Sequence, residues 1–156
     1  MRLVLFEPDI PQNTGALLRL SACWGLGLDV IFPCGFNFDD RRLKRVGMDY
    51  VAAAEVKRHT SWKAYQLWRA GNPVVAGRLL LLSTKAATPY HDFAYRADDS
   101  IMVGRESSGV PEAVHLAADH RLVIPLRKSM RSLNVAMAAA IVAAEAMRQT
   151  GFSSIA

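Results

Sequence analysis

Cysteine is nearly missing from this chain: Cys23 and Cys34 are the only two in 156 residues. Their spacing matches no metal motif, and with no export signal in the sequence both read as reduced, buried thiols in a cytoplasmic protein. Long apolar runs are missing too; none approaches the length that spans a bilayer, so no membrane partner is expected. The opening MRLVLFEPD offers four apolar residues before Glu7 and Pro8 interrupt it, which suits a first strand and not a targeting peptide. Internal repeats, low-complexity tracts and linkers are absent. The one glycine-bearing loop of note, Gly104-Arg105-Glu106-Ser107-Ser108-Gly109, lacks the Lys-Ser/Thr of a phosphate-binding P-loop and the three glycines of a dinucleotide fingerprint. A nucleoside that brings no phosphates of its own therefore suits it better than ATP or NAD. No His/Cys/Asp/Glu spacing asks for a metal.

What remains is a chain with 51% hydrophobic residues, enough to bury a full core in one domain over 1–156. Its net charge of +5 favours an acidic partner, nucleic acid first. Five short, unbroken apolar runs stand out: Leu3–Phe6, Val30–Phe32, Leu79–Leu82, Ile101–Val103 and Leu122–Ile124. Unbroken runs suggest strands covered on both faces, as in a parallel sheet. Helical patterns alternate with them. Asn13 or Thr14 can cap a helix that runs to about Trp24 and ends at Gly25. Asp39–Val46 reads as a short charged helix. Ser61 can cap a helix to Arg69 that carries Trp62, Tyr65 and Trp68 at helical spacing. Gly71-Asn72-Pro73 is a turn, not a domain boundary. The alternation predicts a single-domain, doubly wound α/β fold with a mostly parallel sheet.

The stretch around which the chain is organised is Arg121–Gln149. An apolar run stops at Pro125, a basic loop follows with Arg127, Lys128 and Arg131, and Ser132-Leu133-Asn134 opens a long alanine-rich helix. An apolar run feeding a polar loop and then a helix is how open α/β sheets present a ligand crevice. Along the helix Leu133, Met137, Ile141 and Ala144 share one face. That face fits burial against the chain's own sheet and fits packing on a second subunit equally well.

Two further loops invite the same reading. Glu7-Pro8-Asp9-Ile10-Pro11-Gln12-Asn13-Thr14-Gly15 leaves the first run at its carboxyl end. Arg19, six residues beyond Asn13, can point back toward the same crevice. Gly104–Pro111 follows the run Ile101–Val103, its glycines allow a tight turn, and Pro111 suits a helix start. A fourth constellation is the basic run Arg41, Arg42, Lys44 and Arg45, with Lys57, Arg58, His59 and Lys63 further on. A solvated helix face explains that run on charge alone; phosphate contacts to RNA are compatible with it.

Taken together, the three loops resemble, in order, the three motifs of the SPOUT superfamily of RNA methyltransferases. Asn13-Thr14-Gly15 with Arg19 is similar to the first, Gly104–Pro111 to the second, and Ile124-Pro125 with Ser132-Leu133-Asn134 to the third. Within the superfamily the chain most resembles the tRNA wobble-nucleotide 2'-O-methyltransferases. The stretches Leu5–Gly15, Asp39–Tyr50 and Ser83-Thr84-Lys85 carry that likeness. Ala136, Met137 and Ala144 depart from the pattern. The resemblance implies a C-terminal trefoil knot and an obligate homodimer. It also implies S-adenosylmethionine as methyl donor, leaving S-adenosylhomocysteine, and no metal. By position it implies a cofactor pocket of Leu82, Gly104, Ile124, Ser132 and Leu133. It places Arg19, Asn13, Glu106 and Asn134 at the catalytic centre and Arg41, Arg42, Lys44, Arg45 and Arg131 on the tRNA.

The implied reaction is in-line attack of a ribose 2'-oxygen of the wobble cytidine or uridine on the sulfonium methyl. A guanidinium stays protonated in proteins, so Arg19 suits a clamp on the adjacent phosphate that also stabilises the developing alkoxide better than it suits a base. Methylation of another tRNA or rRNA position, a non-catalytic RNA-binding module of the same fold, and a flavodoxin-like nucleotide-binding domain are the alternatives.

Overall fold

The computed structural model describes residues 1–38, 50 and 54–152. Among the described residues seven strands form one sheet, in the order β3-β2-β1-β6-β4-β7-β5. They are β1 (Arg2–Phe6), β2 (Gly27–Ile31), β3 (Val56–His59), β4 (Leu79–Leu82), β5 (Thr88–Pro89), β6 (Ser100–Val103) and β7 (His120–Val123). Every pairing is parallel. The helices are α1 (Pro11–Trp24), α2 (Trp62–Gly71), α3 (Pro73–Ala76), α4 (Glu112–Ala117) and α5 (Val135–Thr150), with a 3₁₀ turn at Tyr90–Asp92.

All five apolar runs lie in strands, although β2 and β7 begin earlier than expected and stop one residue short, at Ile31 and Val123. β3 and β5 were not expected. They are the two outer strands, and β3 spends its middle residues, Lys57 and Arg58, on solvent. An edge strand need not be apolar, so it leaves no unbroken run to read. The central strands feed two cores by alternation. Leu3 and Leu5 of β1 pack with Leu17 and Leu18 of α1 and with Val142 and Ala143 of α5. Val4 and Phe6 pack on the opposite face with Tyr65 of α2 and Val114 of α4.

Several local expectations change. α1 starts at Pro11, with Ile10 as an N-cap that makes no side-chain cap bond. Asn13 and Thr14 are therefore not caps; they lie inside the first turns and are buried. Gly25 does end the helix, in the left-handed region at φ +62°. Ser61 caps α2 by accepting the Ala64 N–H at 3.1 Å. Cys34 is half-buried, its thiol pushed up to about 11 by burial, but Cys23 is exposed, because it falls on the outer side of α1. The expected helix Asp39–Val46 lies outside the described residues.

On α5 the sequence left two orientations open. Its buried residues are Ala139, Val142, Ala143, Ala146 and Met147. The Leu133/Met137/Ile141/Ala144 face points the other way, with Met137 59% exposed. Ala139, Ala143 and Ala146 let the helix axis approach the sheet closely, with Val142 and Met147 filling the core beside them.

Beneath α2 a buried ionic cluster joins the first three strands. Arg2 Nε donates to Asp29 Oδ2 at 2.6 Å, and His59 Nε2 lies 2.6 Å from Asp29 Oδ1. Asp29 is fully buried and Arg2 only 4% exposed. Removing one partner of such a pair leaves an uncompensated buried charge. Asp29→Ala should therefore lose about 3–5 kcal/mol in urea unfolding, with Asp29→Asn losing less.

Candidate functional site

The connections that leave β1, β4, β6 and β7 all emerge at the carboxyl ends of parallel strands. Between them lies a cavity of about 620 Å³, within the range of small-molecule sites. One wall is the loop Gly104–Pro111. Its backbone closes on itself: Arg105 N–H donates to Gly109 O and Gly109 N–H to Arg105 O, both at 2.9 Å. Gly109 turns at φ +69°, and a Cβ on Gly104 would sit 2.6 Å from the carbonyl carbon of Gly109. Glycine is required at both positions, at 109 for the backbone angle and at 104 for the approach.

A hydrogen-bond relay ties this loop to the other two. Asn13 Nδ2 donates to Glu106 Oε1 at 2.9 Å. Asn134 Nδ2 donates to Asn13 Oδ1 at 2.9 Å. The remaining oxygen of Asn134 caps α5, accepting from Ala136 N–H at 2.9 Å and Met137 N–H at 3.2 Å. Asp9 adds a reciprocal clamp. Its N–H donates to Glu106 Oε2 at 3.0 Å, its carboxylate accepts the Glu106 N–H at 3.1 Å, and the Ser107 hydroxyl donates to it. Glu7 enables the turn out of β1 with a left-handed φ of +44°. Arg105 supports it there, donating to the Glu7 carbonyl at 3.2 Å with an ion pair at 3.6 Å.

These contacts split the two carboxyl groups. Burial, then the neighbouring Asp9, pushes Glu106 above its ordinary value. Hydrogen bonding with Glu106, helped by the Ser107 hydroxyl and the loop amides, lowers Asp9 to about 2.

Of the residues singled out from sequence, Leu82, Gly104, Ile124, Ser132 and Leu133 all line the cavity, as do Asn13, Glu106 and Asn134. Arg19 does not line it; it is exposed, its guanidinium 4.9 Å from the Tyr50 ring centre. Arg131 is exposed on the loop before α5. Arg41, Arg42, Lys44 and Arg45 lie outside the described residues. The site also uses residues that sequence reasoning gave no role. Asp9 stood in the first loop, ahead of the motif, without a function; its only signal was a carboxylate between Pro8 and Pro11. Glu112 and His115 line the cavity from α4, signalled only by their three-residue spacing after Pro111. Among the described residues no group of three or more His, Cys, Asp or Glu is placed to hold a metal.

Two outcomes are expected. Gly104→Ala must force the loop open, so the Arg105 and Gly109 amides, bonded to each other's carbonyls, should exchange with deuterium far faster than in the wild type while amides of the central strands keep their protection. The carboxyl pair gives opposite pH signatures. A raised Glu106 contributes stability that is full below 4.5 and is lost as pH rises through its folded value. A depressed Asp9 contributes stability that is full above 3.8 and is lost as pH falls toward 2. In thermal melts across pH, Glu106→Gln should flatten the first slope and Asp9→Asn the second.

Comparison with known proteins places this geometry. Residues 1–144 match the model of the SpoU rRNA Methylase family. A protein of Beijerinckia indica named tRNA (cytidine(34)-2'-O)-methyltransferase is 54% identical over 149 residues, covering 96% of this chain and 91% of that protein. A protein of the same name from Escherichia coli K12 is 38% identical over 154 residues, covering 97% and 95%. A solved structure described as "Structural insights into the 2-OH methylation of C/U34 on tRNA" superimposes with a TM-score of 0.87 at 36% identity, covering 95% of this chain and 94% of that one. With a family match over nearly the whole length, and relatives this similar along it, the chain belongs to the SpoU methylase family.

Proposed function

We propose that this chain is an S-adenosylmethionine-dependent tRNA methyltransferase that methylates the ribose 2'-hydroxyl of the wobble nucleotide, cytidine or uridine. The observation that carries the reading is Asn13, held between Glu106 and Asn134 on the wall of the cavity. Through it the three loops of the methyltransferase motifs meet at one place. The relatives named for cytidine-34 2'-O-methylation support the substrate.

The residues present fit the donor. Leu82, Ile124 and the buried Leu122 give an apolar slot. The Gly104 loop brings backbone to its edge, and Ser132 and Asn134 supply polar groups at an exposed rim. Bound there, S-adenosylmethionine supplies an electrophilic methyl on a cationic sulfur. The chain's own part is placement. Holding two reactants in line is worth on the order of 7–11 kcal/mol in favourable cases. The relay fixes Asn13 and Asn134 in one orientation, so the rim is set before RNA arrives. Arg19, exposed outside the cavity, clamps the phosphate beside the target ribose and stabilises the 2'-oxygen as negative charge develops on it. Arg131, with Arg41, Arg42, Lys44 and Arg45, contributes phosphate contacts.

The assembly is a homodimer in this reading, supported by the exposed apolar residues Leu133 and Met137 beside the cavity. Residues 1–156 act as one catalytic domain, with the segment from β7 through α5 threaded as a trefoil knot. Among the described residues no helix is long and apolar enough to cross a membrane.

The test is methylation of bulk tRNA with labelled donor, followed by mapping of the label. Label on the 2'-oxygen of nucleotide 34 is expected; label elsewhere, or none, rejects the reading. Because Arg19 does not line the cavity, Arg19→Ala should slow turnover by about a hundredfold or more while donor affinity in calorimetry stays within about twofold. Equal losses in both would remove Arg19 from the RNA side.

A further inference from the structure

The loop that leaves β2 carries three phenylalanines in seven residues, Phe32, Phe36 and Phe38. β2 runs parallel to β1 and beside it, so this loop rises on the same edge as the site, across β1 from the cavity. It is fastened to the site's own machinery. Gly35 N–H donates to the Pro8 carbonyl at 2.9 Å. A Cβ on Gly35 would sit 2.6 Å from the Cβ of Asp9, the residue that clamps Glu106, so glycine is needed there for the approach. Phe36 comes next in the chain and is half-buried. Its ring lies at 18° to that of Phe38, with 6.4 Å between centres. Phe38 is buried, and the Arg58 guanidinium lies 4.3 Å from its ring centre. Side chains alternate along β3. Lys57 lies over Trp68 and His59 joins the buried Asp29 cluster, whereas Arg58 turns to the opposite face and is exposed. Arg58 reaches the same loop by charge as well: burial pushes the Cys34 thiol up, and Arg58 opposes that rise.

We propose that Phe36 and Arg58 form a contact for the RNA strand outside the cavity, Phe36 stacking a base that flanks the target nucleotide and Arg58 holding the phosphate of that neighbour. The inference rests on the wobble-nucleotide reading. A ribose meets the donor only when its nucleotide is unpaired and turned to the rim, so the adjoining nucleotides must cross the protein beside it. Asp9 and Asn13, on the β1 loop, stand between the cavity and Phe36. A strand that presents its ribose at Asn13 therefore has a neighbour within reach of Phe36. Splayed bases of single-stranded RNA are held on aromatic rings and guanidinium planes, and every base offers a π-face. Phe36 supplies the ring, left partly open by a loop that buries Phe38. Arg58 supplies the cation, steadied on the Phe38 ring. Neither residue lines the cavity, so their part in RNA binding is separable from donor binding.

The experiment uses an anticodon stem-loop RNA carrying 2-aminopurine, a fluorescent base dimmed by stacking, on one or the other side of nucleotide 34. Wild type, Phe36→Leu, Phe36→Trp and Arg58→Gln are titrated with each RNA over a salt series in the presence of S-adenosylhomocysteine, and the affinity of each protein for S-adenosylhomocysteine is measured by calorimetry. Phe36→Leu should bind the RNA about tenfold more weakly with the wild-type salt slope, and at one of the two positions the probe should brighten in its saturated complex. Phe36→Trp should restore both affinity and dimming. Arg58→Gln should lower the salt slope by about one. S-adenosylhomocysteine should bind all four proteins within about twofold. Unchanged RNA affinity in Phe36→Leu, equal probe emission in every complex, a loss that Phe36→Trp does not recover, or an unchanged slope in Arg58→Gln would overturn the proposal. So would equal weakening of RNA and S-adenosylhomocysteine, the mark of a ring that only supports the fold. Wild type that binds whole tRNA but not the stem-loop would instead overturn the wobble-nucleotide reading, and this inference with it.

Discussion

An amide side chain presents a donor and an acceptor at one end, and the site depends on how Asn13 uses both. A carboxylate can only accept, so Glu106 forces the Asn13 nitrogen toward itself and leaves Asn13 Oδ1 facing the other way. That oxygen must then meet a donor, which is the amide nitrogen of Asn134. The Asn134 oxygen is left for the free N–H groups at the start of α5. The polarity runs one way, from a carboxylate on the β6 loop to the first turn of the last helix. Every member is determined by the one before it.

The sheet order makes this meeting possible. Asn13 and Asn134 are 121 residues apart, yet β1 and β6 are neighbours, β4 lies beside β6, and β7 beside β4. All run the same way, so the loops that leave them rise on the same edge. Sequence order changes direction across these strands, which is where open α/β sheets leave a crevice. The buried Asp29 cluster lies under the other part of the sheet and touches none of the relay. Structural and site electrostatics are thus separated in the fold, and a charge change in one need not disturb the other.

Much of this was legible in the chain. Buried parallel strands have no solvent face, so Leu79–Leu82 and Ile101–Val103 had to be apolar throughout and stood out. Gly104 and Gly109 stood out because a closed loop forbids side chains there. Edge strands have one free side and tolerate Lys57 and Arg58, so β3 was read as a basic patch. Asn13 was misread for a related reason. Cap preference is a local property, whereas its real partners are 93 and 121 residues away. His115 left almost no trace, because one histidine on a short helix has no pattern until the fold shows what it faces. Arg19 was placed toward the crevice from helical spacing and from the resemblance, and neither says which side of the helix faces the chain's own cavity.

Periodicity located an apolar face on α5 correctly and could not say what it faced, and that ambiguity has a physical source. Burial against a sheet rewards close approach as well as area, and alanine supplies close approach. The core therefore took Ala139, Ala143 and Ala146 around Val142, and Leu133 and Met137 were left at the surface. Leu133 belongs to both the outward face and the cavity lining, so the apolar surface runs continuously into the rim of the site. A second copy of the chain seated on that surface, as proposed above, would cover Met137 and wall the cavity with the same contact. α1 packs beside α5 in the same core, which puts Arg19 on the helix next to that face, outside its own cavity. Catalytic geometry and assembly would then share one surface. Loss of the apolar face would be felt at the rim before it was felt in the fold.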